Sequence, residues 1–177
     1  MKTPILETER LRLRPLALED AQNVFYCWES DPDVAKYMFW TSHHDINRTK
    51  EWLAFETSKI TADDWFRWGF VEKETGALIG TGLIYLEEEF GLYEIGYNLG
   101  KKFWGKGFTT EAMRAIIRFS REELCLSELV GRHATENKGS ENVMKKLGFE
   151  YLKDCSYPCS DGKVMMAGRE YRLKLAR

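Results

Sequence analysis

Cysteine, histidine and proline are all scarce in this chain. Its 177 residues include 4 Cys, 3 His and 4 Pro. Cys155 and Cys159 are the closest pair of cysteines, but their spacing matches no common zinc pair, and no second Cys or His pair accompanies them. We therefore expect reduced thiols and no metal site.

The chain also lacks a charge excess and a long apolar run. Its 26 basic and 28 acidic residues leave a net charge of −2, which gives no basic field for nucleic acid. No apolar run approaches the length that crosses a bilayer, and the N-terminal sequence MKTPILETER has no signal-peptide core. The length and the 44% hydrophobic content predict one globular domain over residues 1–177, cytoplasmic, with no nucleic-acid or membrane partner.

Residues 93–119 (YEIGYNLGKKFWGKGFTTEAMRAIIRF) combine three patterns. Residues 94–99 are half apolar, as in a short strand, and residues 100–107 contain three glycines and three lysines. From Thr109 onward, apolar residues recur at spacings of three and four, which predicts a helix with a buried face at Ala112, Ala115, Ile116 and Phe119. The order is therefore strand, glycine-rich loop, helix.

A glycine-rich loop that opens a helix is suited to binding an anion. Glycine tolerates positive φ, so successive backbone N–H groups can point into one concavity. The first N–H groups of a helix have no partner within it and lie at the positive end of its dipole. Residues 100–109 therefore favour a phosphate site, with a plain basic surface loop as the alternative.

Two nucleotide-binding motifs fit this loop only in part. Residues 100–106 satisfy the G-x-x-x-x-G-K start of a P-loop, but Gly107 stands where Ser or Thr should hold magnesium. Gly105 and Gly107 fit the dinucleotide fingerprint G-x-G-x-x-G, but Thr110 replaces its third glycine. No acidic residue closes the following strand, so both alternatives are disfavoured.

Two segments resemble a known family. Residues 102–107 (KFWGKG) look like the acyl-CoA loop Q/R-x-x-G-x-G/A of the GCN5-related N-acetyltransferase (GNAT) superfamily, with Lys102 where Gln or Arg is usual. WGKGFTTEA and residues 137–149 (NKGSENVMKKLGF) resemble the RimJ/RimL-like branch, the ribosomal-protein-alanine N-acetyltransferase-like proteins. The resemblance extends over essentially the whole chain.

Hydrophobic periodicity and turn signals predict the element order βααβββαβαββ. Predicted strands are residues 8–14, 65–71, 78–86, 94–99, 129–133, 149–153 and 164–175. Predicted helices are 18–28, 45–59, one from Thr109 and one from Asn137 to Leu147. Asp45 or Asn47 would cap the second of these helices, and Gly148 would end the last. This α/β pattern, with the GNAT resemblance, implies a mixed, mostly antiparallel, twisted central sheet flanked by about four helices.

The resemblance also implies where acetyl-CoA would lie. The pantetheine arm would pair with residues 97–99 like an extra strand, and the pyrophosphate would sit on backbone N–H groups of residues 104–109. Lysines at 102, 106 or 138 would reach the phosphates. The implied coenzyme contacts are Tyr97, Asn98, Leu99, Lys102, Phe103, Trp104, Gly105, Lys106, Gly107, Phe108, Thr109, Asn137, Lys138 and Ser140.

Acetyl transfer to an amine needs a base for the amine and a donor for the departing thiolate. Glu94, which shares a strand face with Gly96 and Asn98, is the implied base, directly or through water. Its alternative is a structural salt bridge, and His133 is the reserve base. Met144 stands where many GNAT members have a Tyr that acts as the general acid, so the resemblance implies that Ser140 donates to, or hydrogen-bonds, the departing CoA sulfur. Asn137 would orient the pantetheine arm or the Ser140 hydroxyl, with a plain turn residue as its alternative. The alternative for Ser140 is a helix cap.

The acceptor site is the least defined part. Residues 34–44 and 157–166 would form its walls, with Tyr37, His43 and Glu94 contacting the substrate and with Met38 and Trp40 in the core. Glu87, Glu88 and Glu89 form an acidic turn to which we assign no chemistry. The resemblance implies direct acetyl transfer in a ternary complex to a primary amine, either a protein N-terminal α-amine or a small amine. A non-catalytic acyl-CoA-binding module stays an alternative, and a homodimer is compatible with the family.

Overall fold

The computed structural model describes residues 1–88 and 91–175, so Glu89 of the acidic turn lies outside the described residues. Within these described residues, eight strands form one sheet. They are β1 (Leu6–Glu7), β2 (Leu11–Arg14), β3 (Trp65–Glu72), β4 (Leu78–Glu87), β5 (Leu92–Leu99), β6 (Glu128–Ala134), β7 (Glu150–Cys159) and β8 (Val164–Lys174). Five α-helices accompany the sheet: α1 (Ala21–Val24), α2 (Pro32–Ala35), α3 (Ile46–Ser58), α4 (Phe108–Glu122) and α5 (Lys138–Leu147).

The sheet order is β1-β2-β3-β4-β5-β6-β8-β7, and every neighbouring pair except one is antiparallel. The exception is β5 with β6, which run parallel because α4 connects them as a crossover. This mixed, mostly antiparallel sheet confirms the predicted fold class.

The parallel pair is joined over only a short stretch. Pairing begins at Tyr93 with Leu129 and stops at Ile95 with Gly131. Beyond that point β5 continues to Leu99 against β4 alone. The β6 side of residues 96–99 therefore carries backbone groups with no strand partner, and a gap opens within the sheet.

Helices cover both faces of the sheet. The predicted apolar face of α4 is buried, with Ala112, Ala115, Ile116 and Phe119 each at most 4% exposed. It packs on β3 and β4, where the Phe119 ring contacts the rings of Phe66 and Trp68. A smaller cluster joins Val24, Trp28 and Leu53 on the other face. None of the helices in the described residues is long and apolar enough to cross a membrane.

Local capping signals are confirmed where they were clearest. The Asp45 side chain accepts a hydrogen bond from the Asn47 N–H and starts α3. Gly148 ends α5 with φ of 87°, a left-handed conformation that favours glycine. The β5–loop–α4 order is also confirmed, with α4 beginning at Phe108.

Three predicted elements are wrong in detail. The strand predicted over residues 8–14 covers only Leu11–Arg14, because hydrogen bonds between Thr8 and Leu11 turn the chain between β1 and β2. The helix predicted over residues 18–28 is a 3₁₀ turn, α1 and a π-helical turn at Phe25–Glu29. The strand predicted over 149–153 runs to Cys159, because its pairing with β8 continues as far as the pair of Cys159 with Val164.

Candidate active site

A cleft with a volume of about 1160 Å³ crosses the sheet where β5 and β6 separate. One end is lined by the glycine loop and the first turns of α4 and α5. The other end is lined by α3, β3, β4 and residues of the 33–40 segment. The part of β5 that lacks a β6 partner lies between them, so the cleft connects a glycine-rich loop with a separate side-chain pocket.

The glycine loop has the conformation that its sequence predicts. Gly105 and Gly107 have φ of 75° and 83°, both in the left-handed region. A Cβ at Gly105 would meet no atom within 4 Å, so this residue faces open space. Gly107 is the N-cap of α4. The loop therefore presents backbone and the positive end of α4 to the cleft, an arrangement that fits a phosphate group.

Sequence analysis did not predict the residues that hold this loop against α4. The Arg10 guanidinium lies over the Phe108 ring at 4.4 Å and donates from Nη1 to the Lys106 carbonyl at 3.0 Å. Its Nε donates to Glu111 Oε2 at 2.7 Å, and Thr8 donates to Glu111 Oε1 at 2.6 Å. Burial opposes ionisation of Glu111, but the hydrogen bonds from Thr8 and Arg10 outweigh it and lower the pKa of this carboxyl.

The coenzyme residues implied by the resemblance divide into two groups. Those lining the cleft are Tyr97, Asn98, Leu99, Trp104, Gly105, Gly107, Phe108, Thr109, Asn137, Lys138 and Ser140. Lys102, Phe103 and Lys106 are not among the lining residues. Phe103 is buried in the core, and the ammonium groups of Lys102 and Lys106 lie 5.2 and 5.6 Å from its ring. Their proposed contacts with phosphate stay predictions.

Ser140 is not the cap of α5, so the capping alternative is wrong. Asn137 is the N-cap, and its Oδ1 accepts from the Ser140 N–H at 3.1 Å. The Ser140 hydroxyl instead lies 2.8 Å from the Tyr97 hydroxyl across the gap. Burial raises the pKa of Tyr97, although the hydrogen bond with Ser140 opposes the rise, so its phenol stays protonated at neutral pH. Met144 is buried in the core at 1% exposure.

Glu94 lies at the centre of a charged cluster. Arg132 Nη2 donates to Glu94 Oε2 at 2.5 Å, and Arg132 Nε lies 3.0 Å from Oε1 and 3.1 Å from Oε2. The Tyr85 hydroxyl also donates to Oε2, at 3.0 Å. Burial and the charge of Glu94 raise the pKa of Tyr85, so it remains a donor. The predicted salt-bridge alternative for Glu94 is thus present. Glu94 also lines the cleft, and its Oε1, which accepts from Arg132 Nε, has a second lone pair as any carboxylate oxygen does.

The two predicted histidines lie outside the cleft lining. His43 Nε2 is 3.2 Å from Glu29 Oε2, which also accepts from the Thr49 hydroxyl. His133 stacks on Tyr171 with ring centroids 5.2 Å apart, and its Nδ1 is 2.8 Å from the Ala134 carbonyl. Burial lowers the pKa of His133. Neither histidine side chain therefore lines the cleft.

Both predicted wall segments line the end of the cleft that lies away from the glycine loop, called the acceptor end below. Tyr37 lines it together with Met38 and Trp40, which are half-buried rather than fully in the core. Tyr157 and Pro158 line it from β7. Sequence analysis missed Arg67, Tyr85 and Arg132, whose positions depend on strand register. It also gave no role to Glu87, which lies 3.2 Å from Arg132.

Comparison with known families identifies the class of this protein as an acyltransferase. The model for the acetyltransferase (GNAT) domain matches residues 10–150. The chain therefore belongs to the GNAT family and is an N-acetyltransferase.

Similar proteins include bacterial N-acetyltransferases. The uncharacterized N-acetyltransferase p20 of Bacillus licheniformis is 36% identical over 82% of this chain and 82% of its own length. The [ribosomal protein uS5]-alanine N-acetyltransferase of Escherichia coli is 29% identical over 55% of this chain and 52% of its own length. A solved structure of RimL, a ribosomal L7/L12 α-N-protein acetyltransferase in complex with coenzyme A, covers 97% of this chain and 98% of its own. Its TM-score of 0.85 at 13% identity shows a shared fold.

Proposed function

We propose that this protein transfers the acetyl group of acetyl-CoA directly to a primary amine within a ternary complex. The observation that carries the proposal is the β5–β6 gap, which lies beside the glycine loop at one end of the cleft and beside the Glu94 cluster at the other. A donor extended along the gap would bring its thioester between these two ends. Such positioning supplies a large part of the rate in a bimolecular transfer.

The glycine loop fits the diphosphate of coenzyme A. The backbone of Gly105 faces open space, and the free N–H groups of the first α4 turn lie next to it. The pantetheine arm would lie along residues 97–99, whose backbone has no strand partner on that side. When bound, acetyl-CoA supplies the activated thioester carbonyl, and the chain supplies its orientation.

Glu94 acts on the incoming amine. The amine must lose a proton before it attacks, since only its neutral form is nucleophilic. The remaining lone pair on Glu94 Oε1 accepts that proton directly or through one water, while Arg132 and Tyr85 hold the carboxylate in place. The positions of His43 and His133 outside the cleft lining favour Glu94 as the base.

Ser140 acts on the sulfur as the carbon–sulfur bond breaks. Its hydroxyl donates a hydrogen bond to the developing thiolate. The Tyr97 hydroxyl, whose oxygen is 2.8 Å from the Ser140 hydroxyl oxygen, would then act as the donor of that pair. The proton that completes the thiol is the second proton lost by the attacking nitrogen. One amine and one thioester thus give one amide and one thiol.

Two acceptor classes are supported by different observations. A protein N-terminal α-amine is supported by the similarity to the Escherichia coli ribosomal-protein alanine acetyltransferase. An α-amine has a pKa of about 8, against about 10.4 for lysine, so it needs less help from the Arg-paired Glu94. A small amine is supported by the aromatic lining of the acceptor end.

Calorimetry with CoA and with ATP–Mg²⁺ tests the donor site, and we expect binding of CoA alone. Preference for ATP–Mg²⁺ would overturn the assignment in favour of a P-loop enzyme. Thiol release from acetyl-CoA, measured with free N-terminal peptides and a panel of amines, tests transfer. CoA binding without turnover of any amine would indicate a non-catalytic acyl-CoA-binding module instead.

A further inference from the structure

A continuous row of aromatic rings lines the acceptor end of the cleft. Phe55 and Trp65 have ring centroids 5.7 Å apart, and Trp65 and Tyr85 have centroids 5.4 Å apart. The Tyr85 hydroxyl then bonds to Glu94, so the row ends at the proposed base. The 33–40 segment adds the rings of Tyr37 and Phe39 to the lining of the same cleft. A planar apolar group packs favourably against such rings.

The net charge of the cluster around Glu94 matches a substrate that carries one cationic group. Arg132 contacts two carboxylates, Glu87 at 3.2 Å and Glu94 at 2.5 Å. These three side chains together carry a net charge of −1. A single ammonium group at Glu94 would neutralise the charge that these three side chains leave.

The aromatic wall is already occupied by a cation of the chain itself. The Arg67 guanidinium lies 5.3 Å from the Trp52 ring and 5.9 Å from the Trp65 ring. Glu56 neutralises it through a contact of 2.8 Å between Arg67 Nε and Glu56 Oε1. A second ammonium of a polyamine placed along this wall would be repelled by the positive charge of Arg67.

The two outer walls are tied together at one end. The Ser160 N–H donates to the Met38 carbonyl at 3.1 Å, and the Asp161 N–H donates to the Phe39 carbonyl. Asp161 Oδ2 also accepts from the Thr41 hydroxyl at 2.9 Å. These contacts join the β7–β8 turn to the 33–40 segment, so an extended peptide cannot leave the cleft between them.

We infer that the acceptor is a small primary monoamine whose body is a planar aromatic group. This inference rests on the proposed function and names the substrate class of the same site. The ring lies among Tyr37, Phe39, Trp65 and Tyr85, and the single ammonium lies at Glu94. The nitrogen of that ammonium loses one proton before it attacks the thioester and a second as the amide bond forms and the thiol leaves.

The test compares four amines at saturating acetyl-CoA: 2-phenylethylamine, n-butylamine, spermidine and an alanine-initiated tetrapeptide. We expect kcat/KM for 2-phenylethylamine to exceed each of the others by about tenfold or more, as expected for a well-packed ring worth ~1.4 kcal/mol or more. An equal or higher kcat/KM for spermidine, for butylamine or for the peptide overturns the inference while leaving acetyl transfer intact.

Two variants probe the site without unfolding it. Phe39 is 60% exposed and lines the cleft, whereas Tyr26 is 73% exposed and does not. Phe39→Ala should raise KM for 2-phenylethylamine about fivefold with little change in kcat, while Tyr26→Ala leaves both unchanged. Glu87→Gln removes the surplus charge and should raise the same KM about tenfold without affecting KM for acetyl-CoA. An unchanged amine KM in both site variants contradicts the inference.

Calorimetry separates this inference from the proposed function. 2-Phenylethylamine should bind the CoA complex and spermidine should not, whether or not turnover occurs. If the aromatic amine binds but no amine is acetylated, the proposed acetyl transfer fails, and only the binding preference of the cleft for an aromatic monoamine stands. If spermidine binds and the aromatic amine does not, the inference fails.

Discussion

The hydroxyl oxygens of Tyr97 on β5 and Ser140 on α5 lie 2.8 Å apart, beside the gap between β5 and β6. Tyr97 comes from the last residues of a strand and Ser140 from the first turn of a helix 43 positions later. Asn137 fixes the Ser140 backbone, so the orientation of the serine hydroxyl depends on Tyr97. In the proposed reaction, this pair of hydroxyls supplies the hydrogen bond that stabilises the departing thiolate.

Removing either hydroxyl tests the pair. We expect Ser140→Ala to lower kcat by about 10²-fold and Tyr97→Phe by about tenfold, within the range of a lost catalytic hydrogen bond. KM for acetyl-CoA should change little, because neither hydroxyl binds the diphosphate. Tyr93→Phe is the matched control, since Tyr93 lies on the same strand but donates to the Asp63 carbonyl. Single-turnover kinetics that show full rates in Ser140→Ala would reduce Ser140 to a structural role.

The glycine loop provides a second prediction with an internal control. Gly105 and Gly76 have φ of 75° and 70°, and a Cβ at either would meet no atom within 4 Å. Substitution by Val should therefore cause a similar strain of roughly 1–2 kcal/mol at both positions. Only Gly105→Val should also weaken CoA binding, by about tenfold or more. Equal CoA affinities of the two variants by calorimetry would show that the diphosphate does not lie on this loop.

Sequence alone predicted the parts of the structure that short-range physics controls. The positive φ at Gly105, the Asp45 cap of α3 and the Gly148 stop of α5 depend on neighbouring residues only. The apolar face of α4 follows from its periodicity. These signals were enough for the fold class and for the position of the loop.

Contacts between distant elements could not be predicted in the same way. Arg132 reaches Glu94 because Glu94 is paired with Val130 in the parallel register. The local sequence of neither strand determines that register. Arg10 reaches the Lys106 carbonyl only after the first hairpin packs on α4. Sequence analysis therefore proposed Glu94 as the base but did not predict that the Arg132 guanidinium holds its carboxylate.

The Glu94 cluster yields a prediction about rate and pH. Glu94→Gln keeps the shape but removes both the charge and the proton acceptor, so kcat/KM for an identified amine should fall by about 10²-fold or more. In the native enzyme kcat/KM should rise with pH up to the pKa of the amine, because only the neutral amine attacks. Glu128→Gln, which loses a 3.6 Å contact with Arg172, should retain native rates. Native kcat/KM in Glu94→Gln at every pH would remove its role as base.

Arg10 should affect CoA binding without touching the coenzyme. Its contacts with the Lys106 carbonyl, Phe108 and Glu111 hold the loop against α4. We expect Arg10→Ala to weaken CoA binding by about three- to tenfold, the cost of one or two lost hydrogen bonds to a charged group. Arg12→Ala removes a surface contact of 3.5 Å with Glu7 and should leave the affinity unchanged. Indistinguishable affinities of the two variants would show that the loop keeps its shape without Arg10.

Glu111 makes the stability of the same region dependent on pH. Its folded pKa is lowered below the ordinary value of 4.5 by the hydrogen bonds from Thr8 and Arg10, which outweigh burial. A carboxyl with a lowered folded pKa contributes stability that is fully present above the unfolded pKa and is lost as pH falls through the folded pKa. The free energy of unfolding of Glu111→Gln should therefore lie below the native value at pH 7, and the difference should shrink as pH falls below 4.5. Urea denaturation across this range measures both quantities. A difference that stays constant down to acidic pH would mean that hydrogen bonding by the neutral side chain, rather than the charge of Glu111, stabilises the loop.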